Sequence, residues 1–315
     1  MQIDGRCTCR RRDRGFSFLE LLVVLGILVI LAGILVPSTM ALRERNSRAM
    51  CMGNLYKLGL AMTAYSRENR GEFPRVIYDA VNHPRSYTAF TGPYAPDPFA
   101  KDSAVEPNDV TASLWLLVRG NFISSEYVPV TSVFICPSTI DTPDPLTDAF
   151  GNPCSPLQRS NFRGTSHLSY SYAMPFSDAP EYKLSADTLP WDFVVMADRN
   201  PGIMPPQDVT RPRYGDAPDV LSGGNSRNHR GAGQYVLLGD GHVDVFRSSP
   251  LGGHKHDNFY TAGSPQPTTA AGSSQPATTT AATEPVDPTT RPGLIGKDVG
   301  PAWKTDSYLV PTESD

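Results

Sequence analysis

The sequence holds little that would make it a catalyst or a nucleic-acid binder. Its 28 Lys and Arg are set against 32 Asp and Glu, a net charge of −4, and the basic residues form no stripe that could track a phosphate backbone. Nucleic acid is therefore not an expected partner. There is no nucleophile elbow, no His-Glu-x-x-His helix and no phosphate-cradling glycine loop. A hydrolase needs a nucleophile or an activated water beside a tuned base, so no enzymatic activity is expected. No repeat of solenoid length stands out. Cysteine is scarce, at five residues, while 30 prolines and 26 glycines mark a loop-rich chain with little helix beyond its N-terminus.

What the chain does have is a membrane-length apolar run. From Phe16 to Val36 only Ser17 and Glu20 are polar, and Pro37 follows at once. A helix needs about 20 residues to cross the hydrocarbon core. A secretory signal has an apolar region of only about 7–15 residues and then a small-residue cleavage site, and no Ala-x-Ala end occurs here. The head carries Arg6, Arg10, Arg11, Arg12 and Arg14 against Asp4 and Asp13. Positive flanks stay cytoplasmic, which sets the N-terminus in the cytoplasm, although Arg43, Arg45 and Arg48 on the far side soften the bias. The expected location is the inner, cytoplasmic membrane, single-pass, with everything after Pro37 periplasmic or extracellular. Glu20 is the costly residue, because a carboxylate at the helix centre in lipid is disfavoured by about 2.5–3.5 kcal/mol on insertion scales. A charge kept there has a use.

Arg14-Gly15-Phe16-Ser17-Phe18-Leu19-Glu20-Leu21-Leu22 resembles the processing signal of type IV prepilins and type II secretion pseudopilins. In that family a membrane peptidase cuts after the glycine and methylates the new N-terminus. The resemblance implies cleavage between Gly15 and Phe16, methylation of the Phe16 amine, and Glu20 as the fifth residue of the mature chain, where the family keeps its acid. There the carboxylate is thought to pair with the N-terminal ammonium of a neighbouring subunit, and a charge pair in low dielectric offsets two desolvation costs. A plain signal anchor with a tolerated acid is the simpler reading of the same residues.

Beyond the anchor the helix is expected to continue to Asn69. Cys51, Leu55, Leu58, Met62 and Tyr65 form one apolar stripe, most simply covered by a β-sheet, and Gly71 offers a left-handed terminus with Pro74 soon after. From Phe16 to Asn69 such a rod is about 80 Å long at 1.5 Å per residue, with Pro37 a place for a bend. His83 to Pro107 and Asp141 to Ser160 read as loop. Thr111 to Gly120 reads as a short helix or a buried strand. Val130 to Cys136, His167 to Ala173 and Asp192 to Ala197 read as strands. Gln234 to Leu238 and His242 to Arg247 flank Gly239-Asp240-Gly241 as a hairpin. Tyr170, Tyr172 and Phe176 are core candidates. Thr261 to Arg291 is low-complexity spacer, and Trp303, Tyr308, Leu309 and Val310 are placed to dock a C-terminal tail back on the domain.

A second resemblance rests on Cys51-Met52-Gly53-Asn54-Leu55, Asn69-Arg70-Gly71-Glu72-Phe73-Pro74, Phe134-Ile135-Cys136-Pro137-Ser138, Ala197-Asp198-Arg199-Asn200 and Leu238-Gly239-Asp240-Gly241-His242-Val243. These are similar to a pilin-like family abundant in planctomycete-type bacteria, marked by a histidine, about nine residues and Asp-Gly. Here ten residues separate His229 from Asp240, which implies an extra loop residue near Gly231-Ala232-Gly233.

Asp240, His242 and Asp244 share one face if they lie in a strand. With Asp198 and His229 they are candidate ligands for a divalent cation such as calcium, which related pseudopilins carry in a C-terminal loop. A hairpin turn and a solvated strand face account for the same residues. His254-Lys255-His256 reads as a surface loop. Cys7 and Cys9 leave with the leader. Of the remaining three, Cys51 and Cys136 are the candidate disulfide in a compartment that permits one, with buried free thiols the equal alternative.

The expected class is α+β: a pilin-like long N-terminal transmembrane helix packed on a mainly antiparallel β-sheet domain. Its parts are a leader (1–15), a membrane helix (16–36), an exported continuation (37–70), a β-rich domain (71–260), a linker (261–292) and a tail (293–315). The expected role is a membrane-anchored pseudopilin-like subunit of a type II secretion or type IV pilus-like filament, partnered by prepilin peptidase and other pilin or pseudopilin subunits. The rivals are a processed but non-filamentous binding protein on the exported side, and a metal-dependent enzyme on a pilin stalk.

Overall fold

The computed structural model describes residues 18–84, 86–123, 129–178, 182–202, 216–249, 258–260 and 309–310, except for the side chains of 36–41. Two compact units divide the chain, 1–46 and 47–315. Helix α1 (Phe18–Glu68) runs unbroken through Pro37 and belongs to both.

In the first unit, the stretch Phe18–Leu35 is long and apolar enough to cross a membrane, and none of it is buried. Such a helix fits a single-pass anchor. In the second unit α1 changes character. Cys51, Leu55, Leu58 and Met62 are sealed from solvent, with Tyr65 packed beside them, while Met52, Tyr56 and Leu60 on the opposite face are exposed. The helix ends where Arg70 and Gly71 both turn left-handed, at φ 57° and 81°. The Gly71 N–H then donates to the Ser66 carbonyl at 2.8 Å, and a Cβ at Gly71 would run into the Asp187 carboxylate. Glycine is required there for conformation and for space.

The stripe is covered by an antiparallel five-stranded sheet of order β4-β3-β2-β1-β5. Its strands are β1 (Tyr170–Ala173), β2 (Val194–Asp198), β3 (Gln234–Leu238), β4 (Val243–Phe246) and β5 (Leu309–Val310). Helix and sheet meet closely: a Cβ added at Gly59 would lie 2.8 Å from Leu237 Cδ1. The architecture is thus α+β and pilin-like. Strands β1 and β2 are buried at every residue, as expected of central strands covered on both faces. Tyr170, Tyr172 and Phe176 are core. The β3–β4 hairpin closes through Gly239-Asp240-Gly241, where the Gly241 N–H donates to the Leu238 carbonyl at 2.9 Å and Gly241 sits at φ 89°. Leu309 and Val310 return to the domain by pairing with β1; Trp303, Tyr308 and the spacer fall outside the described residues.

One strand assignment is corrected. Val130–Phe134 is a 3-10 turn, not a strand. The Thr131 hydroxyl donates to the Asp144 carbonyl at 2.7 Å, and Phe134 packs edge-on to Phe162. A short apolar run cannot by itself separate strand from buried helical turn. Thr111–Gly120 resolves as helix α2 (Val110–Arg119), capped by the Asp109 carboxylate, which accepts from the Ala112 N–H at 2.7 Å. Every residue from Val110 to Val118 is buried, so no polar face was there to reveal the helical period.

Candidate functional site

Gly15 and Phe16 lie outside the described residues; Glu20 occupies the first turn of α1 and is exposed. The second unit brings four other candidates together. Cys51 comes from the buried stripe of α1. Cys136 follows the Val130–Phe134 turn. Asp198 is the last residue of β2. His229 ends a 3-10 turn, Arg227–His229, that stops where Arg230 turns left-handed at φ 58°. All four are buried, and their ligand atoms lie within 4.8 Å of one another.

The geometry is tight. The Cys51 thiol donates to Asp198 Oδ1 at 3.1 Å. His229 Nε2 lies 3.6 Å from Cys136 Sγ and 3.4 Å from Asp198 Oδ2. Neighbouring groups fix these side chains from behind. The Tyr170 hydroxyl donates to Cys51 Sγ at 3.3 Å. The Asn228 amide donates to Asp198 Oδ1 at 2.9 Å and to the Ser169 carbonyl at 2.7 Å. The Tyr235 N–H donates to Asp198 Oδ2 at 2.8 Å, and the Tyr235 ring stands edge-on to His229 at 5.2 Å.

Burial in this cluster is opposed by its own polar contacts. It pushes the Cys51 thiol well above its ordinary value. For Cys136 the contact with Cys51 outweighs burial and pulls the thiol down to about 7. Burial also works against a charge on His229, but its hydrogen bonding to Asp198 and Cys136 prevails and raises it to about 10. The four side chains are of types that could hold a metal ion.

Asp198 and His229 are therefore joined, but not with the expected companions. Asp240 lies in the hairpin turn rather than in a strand; His242 Nδ1 contacts its carboxylate at 2.5 Å, and both are about half-exposed. Asp244 is exposed on β4, its carboxylate accepting from the Val245 N–H at 2.7 Å. These three are local turn and surface groups. Cys51 and Cys136 do meet, as free thiols, and they stand beside Asp198 and His229 where Asp240, His242 and Asp244 were expected. Calcium takes oxygen ligands, and only one of these four residues supplies them. His254, Lys255 and His256 fall outside the described residues.

Residues 10–36 match the family described as the prokaryotic N-terminal methylation motif. No curated protein and no solved structure matches the chain. The chain thus carries a prepilin-type N-terminus, a methylation signal leading into an apolar helix. Such a motif implies processing by a prepilin peptidase and association with the membrane.

Proposed function

We propose that the protein is a pseudopilin-like structural subunit of a type II secretion or type IV pilus-like filament, cut after Gly15, methylated on Phe16 and anchored in the inner membrane with its second unit exported. The observation that carries this reading is the matched N-terminal motif with Glu20 as the fifth residue after the cut. Lateral packing of the apolar helices holds subunits together, and Glu20 sets their register by meeting the methylated amine of the adjacent chain. The segments around Cys51, Cys136, Asp198 and Asp240 resemble the pilin-like family of planctomycete-type bacteria, which supports the same reading. This reading gives the chain a structural role, and the Cys51, Cys136, Asp198 and His229 cluster, sealed from solvent, lacks the open position that a catalytic metal keeps.

Mass spectrometry of the mature protein from its native host tests the first step. N-methylated Phe16 as the first residue is the expected result, and Gly15→Ala should retain the leader; an intact leader on the native protein overturns the reading. Cysteines placed singly along Phe18–Leu35 test the second. They should crosslink neighbouring chains in membranes, and Glu20→Ala should abolish those crosslinks while leaving the protein inserted. Processed chains that never crosslink would make this a monomeric anchored binding protein.

A further inference from the structure

We propose that Cys51, Cys136, Asp198 and His229 form a structural zinc site that ties the membrane-proximal helix to the sheet of the second unit. The donor set is the first argument. Cysteine sulfur, imidazole and carboxylate oxygen are all zinc ligands, and two cysteines with an imidazole are shared with closed, four-coordinate Cys2His2 sites. The spacing is the second. With Zn–S near 2.3 Å and Zn–N or Zn–O near 2.0–2.1 Å, a tetrahedron has edges of about 3.5 Å between sulfur and nitrogen or oxygen, and about 3.3 Å between nitrogen and oxygen. The corresponding distances here are 3.6 Å for Cys136 Sγ to His229 Nε2, 3.1 Å for Cys51 Sγ to Asp198 Oδ1 and 3.4 Å for His229 Nε2 to Asp198 Oδ2. These three edges, which reach Asp198 through one oxygen each from Cys51 and His229, lie within about 0.4 Å of the zinc values, and one ligand atom from each of the four residues fits within a span of 4.8 Å.

The surroundings are the third argument. Ligands in metal sites are oriented by outer hydrogen bonds, and here Tyr170 supports Cys51 while Asn228 and the Tyr235 backbone hold the two oxygens of Asp198. Each carboxylate oxygen accepts one of these bonds and keeps a lone pair for the ion. Burial of all four residues leaves no open position for substrate, which makes the site structural. Binding requires Cys51 and Cys136 as thiolates and His229 as neutral imidazole, and every proton these three groups hold beforehand passes to solvent.

The consequence is a staple across the chain. Cys51 and Asp198 are 147 residues apart, and Cys136 and His229 are 93 apart. Closing such loops is entropically costly, and an ion that binds only the folded arrangement stabilises it directly. In an oxidising compartment the ion also keeps two adjacent thiols from joining.

The test uses the full-length chain purified in detergent. Elemental analysis should find about one zinc per chain, with Cys51 and Cys136 protected from alkylation until zinc is stripped. Cobalt(II) exchanged into the wild-type protein should give a thiolate-to-cobalt charge-transfer band and strong tetrahedral visible bands, a readout that needs no variant. Cys136→Ser and His229→Ala should lose the metal, and Cys154→Ser, outside the cluster, should keep it. Asn228→Ala should weaken zinc binding by about 10–100-fold. A Cys51–Cys136 disulfide in the native protein, full occupancy by another metal, or zinc retained in the Cys136→Ser variant overturns the proposal.

Discussion

Helix α1 passes from one solvent to another without a break, and its two ends obey different rules. Along Phe18–Leu35 the apolar side chains point in every direction and none is buried; Phe18 is 74% exposed and Leu28 56%. Along Ser47–Glu68 one stripe is buried, with Leu55 and Leu58 fully enclosed, while Met52, Tyr56 and Leu60 opposite it stay exposed. A helix apolar all round needs a membrane or other apolar chains around it, while a one-sided helix needs a single packed partner. The same contrast governs charge. In the second unit the most deeply enclosed cation is surrounded by partners. Arg159, wholly enclosed, grips Asp144 through two bonds of 2.6 and 3.0 Å and lies 5.0 Å over the Trp115 ring. In the first unit the acid Glu20 lies within the matched methylation motif.

If that division is right, substitutions in the two regions should fail in different assays. The largest loss is expected at Arg159. Arg159→Ala leaves Asp144 charged and enclosed, and should cost the second unit about 3–5 kcal/mol in denaturant unfolding, with processing at Gly15 unchanged. Leu58→Ala opens a cavity under the sheet and should cost about 2–5 kcal/mol. The same change at Leu28 should alter that unfolding by less than about 0.5 kcal/mol; equal effects at both positions would erase the distinction. The smallest effect is a pH control in a surface loop that belongs to neither helical region. The Asp79 carboxylate accepts from the Asn82 N–H and side-chain amide, with His83 and the Val81 N–H adding to the set, and these bonds hold it at about 2, below the ordinary 3.8. A carboxyl lowered by folding supports the loop above its ordinary value and loses that support as pH falls toward about 2. Local amide exchange should rise in that window while the core amides stay protected.

The elements that were legible in the sequence are those whose physics is local. The anchor is readable because lipid demands a continuous apolar run, the stripe because Cys51, Leu55, Leu58 and Met62 repeat at helical spacing, and the hairpin because Gly239-Asp240-Gly241 is turn chemistry. Val130–Phe134 and α2 were harder, since burial on all sides erases the alternation that tells strand from helix. The cluster was readable only in pieces. Asp198 and His229 were visible as ligand types and Cys51 and Cys136 as a pair, but what joins the two pairs is the fold. Asp240 and His242 misled because an Asp-Gly turn places two ligand-type residues side by side for reasons of backbone geometry alone. The one available clue was that Cys136 and Asp198 each end an apolar stretch, which marks a polar group carried into the core.

The two-residue strand Leu309–Val310 lies beside β1, and its tether reaches it across a long stretch of sequence. The Asn200 amide grips the Leu309 carbonyl at 2.9 Å and the Leu309 N–H donates to the Phe259 carbonyl at 3.0 Å. During synthesis β1 therefore waits with a bare rim until more than a hundred further residues have emerged, and a protease cutting within the spacer would convert this rim strand into a separate, noncovalently held peptide. The fifth strand can join the sheet only after residues 309–310 have been made, later than the other four.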